Sequence, residues 1–182
     1  MHNASTSDMF DEFAEDLLGE RTARPLIIIG ASKVDNLLFQ ILNVYLLPKR
    51  ATEKDQDELL EGDKPLGTFS ARIKICYRLG LIDEILYLAL EQLRALRNQS
   101  AHSIAFDIMK SPAREHISQL RKSVNSRHSF RQTKKRYFDN ADLTKIDELQ
   151  CVLLTLCVLL ELIHGKVSTT CGSKIALSIA TR

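Results

Sequence analysis

Residues 81–103, LIDEILYLALEQLRALRNQSAHS, decide the fold. Ile85, Leu86, Ala89, Leu90, Leu93 and Leu96 recur at helical spacing, which predicts a helix with one face in a core. Asp83 stands where its N-cap belongs. At the other end the apolar pattern gives way to Arg97, Asn98 and, five positions after the arginine, His102.

On an unbroken helix five residues turn through about 500°, so Arg97 and His102 would point about 140° apart. They converge only if the helix breaks between them or if a second subunit supplies the missing partner. Asn98 and Ser100 are weak helix formers whose side chains compete for backbone groups, which favours a break. Brought together, the trio suits RNA cleavage without a metal or other cofactor. His102 can move a proton near neutral pH, Arg97 can stabilise charge building on a phosphate, and Asn98 can orient either one. The structural alternative has Arg97 and Asn98 satisfying carbonyls at the helix end and His102 bonding to a neighbouring helix.

Working outward, the other apolar segments are also helical. Residues 8–18 place Asp8, Asp11, Glu12, Glu15 and Asp16 on a wet side and Met9, Phe10, Phe13, Leu17 and Leu18 on a dry one, with Gly19 as a stop. Pro25 fits the first turn of a helix over 24–47 that is apolar on nearly all sides and belongs at the centre of a bundle. Asp35 interrupts it and is either exposed or paired with a buried Arg72 or Arg97. A short helix is expected at 55–60. Thr68 or Gly67 starts a helix that Gly80 ends, with Phe69, Ile73, Cys76 and Tyr77 inward and Arg72 and Lys74 outward. Ser111-Pro112 starts another over 112–124, with Ile117, Leu120 and Val124 inward. A second apolar spine runs from 143 to 164 and is closed by His164 and Gly165. No period-two pattern bounded by hairpin turns and no solenoid repeat is present. The expected fold is all-α: a single-domain bundle of about six or seven helices over residues 1–165, with a small polar tail at 166–182.

A chain of 182 residues that is 45% hydrophobic and 26% charged is ordinary for a globular domain. Charge is unevenly spread: residues 1–64 hold 13 acidic and 7 basic side chains, residues 65–182 hold 10 and 18. Residues 110–136 contain nine Lys or Arg and one acid, Glu115. Their densest part is Arg127, Arg131, Lys134, Lys135 and Arg136, interleaved with Phe130, Tyr137 and Phe138. That composition suits phosphate contacts with bases stacked on the rings, making these five cations a candidate nucleic-acid surface. The alternative is a solvated basic loop anchored by its aromatic residues. Cys76, Cys151, Cys157 and Cys171 form no C-x-x-C pair and have no histidines at zinc spacing, so they are expected to be reduced. The windows 26–47 and 149–163 are read as soluble core helices, the first for its polar residues and the second for its length. With no signal-peptide pattern at the N-terminus, the chain is expected in the cytoplasm and off the membrane. The P-loop pattern is absent.

The segment LLEGDKPLGTFSARIKICYRLGLIDEILYLALEQLRALRNQSAHS, residues 59–103, resembles the bacterial mannitol operon repressor family. The likeness lies in the PLGTFSARI block at Pro65 to Ile73, the LGLI turn at Leu79 to Ile82 and the LRALRNQSAHS ending at Leu93 to Ser103, together with the earlier helix around Val34 to Leu38. It covers roughly residues 20–103. The resemblance implies an all-helical transcriptional regulator without a helix-turn-helix, working through a regulatory protein partner, with DNA or RNA contact left open. The Arg97-Asn98…His102 element is also similar to the R-x(4–6)-H signature of HEPN domains. That second likeness implies a helical, dimerising, metal-independent endoribonuclease of toxin or defence type. A plain scaffold module is the third alternative.

Overall fold

The structure is a computed structural model that describes residues 6–48, 57–139 and 141–171. Among the described residues the chain forms helices α1 (Thr6–Gly19), α2 (Ala23–Tyr45), α3 (Phe69–Arg78), α4 (Glu84–His102), α5 (Ala113–Val124), α6 (His128–Phe138) and α7 (Lys145–Cys171), and no strands. The all-α expectation holds.

Helices α2 and α7 form the central pair, as their nearly all-round apolar sequences require. Gly30 makes their close approach possible: a Cβ placed there would lie 2.8 Å from the Leu153 side chain. By length and hydropathy alone α2 could cross a bilayer, but half of its most apolar window is buried in the bundle. Beyond this pair, α2 packs on α3 and α4, and α7 packs on α1, α5 and α6. Helix α5 closes the ring by packing along α4. The fully buried Gln150 ties α1 to the spine: its amide nitrogen lies 2.9 to 3.0 Å from the carbonyl oxygens of Leu17, Leu18 and Glu20.

The expected start and stop signals work through specific hydrogen bonds. Thr68 accepts from the Ala71 N–H to begin α3, and Asp83 accepts from the Leu86 N–H to begin α4. Between them Gly80, at φ +70°, ends α3 in a Schellman turn: its N–H donates to the Tyr77 carbonyl and the Leu81 N–H to that of Cys76. Such a short, doubly bonded link fixes the angle between α3 and α4.

Several local expectations are corrected. Ile85 is 54% exposed although it begins the apolar run. Neighbouring positions on a helix point about 100° apart, and the stripe of Leu86, Leu90 and Leu93 takes the core side. Tyr77 likewise lies on the surface, stacked on Tyr87 with ring centroids 4.7 Å apart. The basic segment is not a loop but helix α6, whose buried Thr133 and core-packed Phe130 and Tyr137 give it an inner side that its charges obscured. Helix α7 passes through His164 and Gly165 to Cys171, with Val167 still buried, because apolar contact outweighs the local stop. Of the short helix expected at 55–60, residues 57–60 form a turn capped by Asp57, and the rest lies outside the described residues. So do residues 172–182 of the expected tail.

Candidate functional site

Helix α4 carries its inward stripe as Leu86, Leu90 and Leu93, all buried. Arg97 is the next residue in that series. Four residues past Leu93 and seven past Leu90, it points within about 20–40° of both. Arg97 is nevertheless exposed, where the leucines before it in the stripe are buried. The bundle opens at this level into a cleft of about 290 Å³. Ala31, Ser32 and Asp35 of α2 line it, with Thr68, Phe69 and Ser70 at the start of α3 and Arg94, Arg97 and Asn98 on α4. The tight turn before α3 positions the Thr68 edge. A Cβ at Gly67 would stand 2.1 Å from the Gly62 carbonyl oxygen, so only glycine lets the backbone fold back there.

The charges around the cleft are sorted by partner. Asp35 accepts from Arg72 at 2.7 Å, and Arg72 also donates to the Leu60 carbonyl and lies over the Phe39 ring. One of the two pairings considered for Asp35 is thus realised. Arg72, expected to point outward, is instead only 11% exposed, because Asp35 and the Leu60 carbonyl supply acceptors inside. Glu91 pairs with Arg94 at 2.7 Å, and that hydrogen bond raises the guanidinium's pKa above its ordinary value. Arg97 donates to the Asn98 side-chain oxygen at 3.2 Å, and no carboxylate among the described residues forms an ion pair with it. Phe69 and Ser70 are the first two residues of α3, whose N–H groups have no acceptor within the helix.

His102 is not in this cleft. Helix α4 runs unbroken through Asn98 and Ser100 to His102. Ser100 is accommodated by turning its hydroxyl to the Arg97 carbonyl at 2.8 Å. Arg97 and His102 therefore diverge within one chain, and the expected break is absent. The alternative role at the helix end is also filled differently. Arg24 of α2 donates to the Ser103 and Ile104 carbonyls at 2.7 and 3.2 Å, a favourable site for a cation. Arg24 lies 79 positions from Ser103, and no local pattern announces the contact.

The five basic candidates cluster on α6 and at its start, but three of them already have partners. Arg127 donates to Asp83 at 2.9 Å, Arg131 to the Ser126 carbonyl at 3.1 Å and Arg136 to Asp11 at 2.8 Å. Lys135 is exposed and Lys134 partly buried. Phe130 and Tyr137 pack against the core, so they anchor the helix and do not stand free as stacking platforms. Burial raises the Tyr137 hydroxyl's pKa, and its neighbour Asp11 adds to the effect.

Among the described residues no three His, Cys, Asp or Glu side chains are grouped to hold a metal ion. Cys76, Cys151 and Cys157 are buried free thiols. Burial lifts Cys76 and Cys157 to about 12 and Cys151 to about 11, as for inert core residues.

No known family's sequence profile matches the chain. It is similar to the mannitol operon repressors of Escherichia coli strains K12 and O6:H1, at 35% identity over 91 residues. That alignment covers 48% of this chain and 46% of each relative, so the chain spans about half the length of the curated relatives it matches. Two solved structures share the fold. A possible transcriptional regulator, YggD, from Shigella flexneri 2a aligns with TM-score 0.59 at 15% identity, over 92% of this chain and 99% of that one. The MtlR–HPr complex from E. coli contains a chain that aligns with TM-score 0.52 at 21% identity, over 87% and 98%.

Proposed function

We propose that the chain is a transcriptional regulator of the mannitol-repressor kind that acts in the cytoplasm, as a homodimer, through a protein partner. The observation that carries this reading is the 35% identity to curated mannitol operon repressors. The shared all-helical architecture of a possible regulator adds support at the level of fold. A partner of the HPr kind is the one to try first, because a chain of this fold has been solved in complex with HPr. Because Arg97 and His102 diverge on one unbroken helix, a nuclease built from them would have to pair the two residues across subunits.

Titration calorimetry of the purified protein with HPr from the same host tests the partner, and transcript profiling of a deletion strain tests the regulation. Saturable binding together with derepression of a sugar-alcohol operon is the expected result. Absence of both would overturn the reading. Metal-independent RNA cleavage by the clean protein, lost in His102→Ala with the fold retained, would establish the endoribonuclease in its place.

A further inference from the structure

We infer that the cleft between α2, α3 and α4 is a binding site for the phosphate group of a small phosphomonoester, with Arg97 as its principal cation. Three independent features of the site converge on an oxyanion. First, Arg97 continues the leucine stripe of α4 yet is exposed, so an inward-facing position serves a cleft and not the core. A guanidinium offers five donors in a planar fork, and Asn98 takes up one of them. Second, Asp35, the one carboxylate among the lining residues, is paired with Arg72, and Glu91 is paired with the lining residue Arg94. The positive charge of Arg97 is left uncompensated beside them. Third, α3 begins at the cleft wall, with the Phe69 and Ser70 N–H groups and the Ser70 hydroxyl available to a ligand.

Size and polarity narrow the ligand. A space of about 290 Å³ is at the lower limit for a ligand pocket, which suits a phosphate with a short polar remainder. Asp35 and Ser32 lie on the α2 side, where hydroxyl groups of that remainder can be held. Phosphate bound here would bridge the start of α3 to α4, the two helices whose angle the Gly80 turn sets. Occupancy is separable from transcriptional regulation, because it is read on the isolated protein.

The test uses the full chain with inorganic phosphate and glycerol 3-phosphate as probes, followed by thermal unfolding and by amide NMR at constant ionic strength. Both probes should raise Tm saturably and shift the Phe69 and Ser70 amide signals. Arg97→Gln, with unchanged circular dichroism, should weaken binding about tenfold or more, while Arg136→Gln leaves it unaltered. If Arg97→Gln does not fold, the wild-type amide shifts decide alone. Shifts absent from Phe69 and Ser70, equal effects of chloride and phosphate, or unchanged binding by a folded Arg97→Gln would each overturn the site. So would binding of a short oligonucleotide through Arg97 where the monoesters do not bind.

Discussion

Two cationic regions of this molecule, helix α6 and the cleft face of α4, differ in what surrounds each guanidinium. Around α6 the arginines are dense in sequence, but Asp83 and Asp11 reach Arg127 and Arg136 from 44 and 125 positions away. On the cleft face Arg94 and Arg97 sit in a modestly charged segment, and Arg97 keeps its charge without a carboxylate. Density along the chain therefore says little about which charges remain for a ligand. Pairing is decided by helices that meet only in the folded state. Depth differs as well. Arg72 behind the cleft is nearly buried, whereas Arg136 is 62% exposed and its pair lies in water.

That difference in depth can be tested. Arg72→Ala should have the largest effect, a loss of about 3 kcal/mol in urea unfolding. It strands Asp35 without its partner and the Leu60 carbonyl without its donor. Pairing it with Asp35→Asn should recover part of that loss. Equal stability of Arg72→Ala and wild type would show the cleft pair to be as dispensable as a surface one.

Asp83 stands between the two regions, capping α4 while holding Arg127, and its effect should be smaller. Burial raises its pKa, but the Leu86 N–H and the Arg127 guanidinium outweigh that, so the folded carboxyl lies below the ordinary value. Its contribution is therefore fully present above the unfolded pKa near ~4 and is lost as pH falls through the folded value. Because 56% of the side chain is exposed, the contribution should stay under about 1 kcal/mol. Stability curves of wild type and Asp83→Asn should separate above that pH and converge in acid. Parallel curves throughout would contradict the role.

The smallest stability effect is expected on α6. Changing Arg131, Lys134, Lys135 and Arg136 together to Gln should alter unfolding free energy by less than about 1 kcal/mol. If α6 is also a nucleic-acid surface, filter binding should weaken for all sequences alike and its salt dependence should flatten. Binding that ignores both salt and these changes would leave α6 with a structural role alone.

Much of the architecture was legible because helix signals are local. The Asp83 and Thr68 caps, the Gly80 stop, the Pro25 start and the stripes of α4, α5 and α7 all depend on residues within a few positions of one another. The misreadings arose where local signals compete. Polar α6 hid its helix because its inner face is narrow, with Thr133 its one buried residue. Gly165 did not end α7 because packing continued beyond it. In the candidate site, Arg97 and Asn98 were singled out and do line a cleft, whereas His102 lies elsewhere. The contributions of Ser32, Ser70 and Arg94 had no signal of their own, since one hydroxyl or cation on a helix face resembles any other until a facing helix is in place.

The sequence by itself determined an all-helical chain, the central standing of α2 and α7, and the polar interruption of α4 after Leu96, because periodicity and capping are properties of neighbouring residues. Only the tertiary structure decided that Arg97 opens onto a cleft while His102 turns away, that Arg24 and not Arg97 tends the end of α4, and that Arg72 satisfies Asp35. Those outcomes depend on where distant helices place their carbonyls and carboxylates, and helical periodicity carries no information about that.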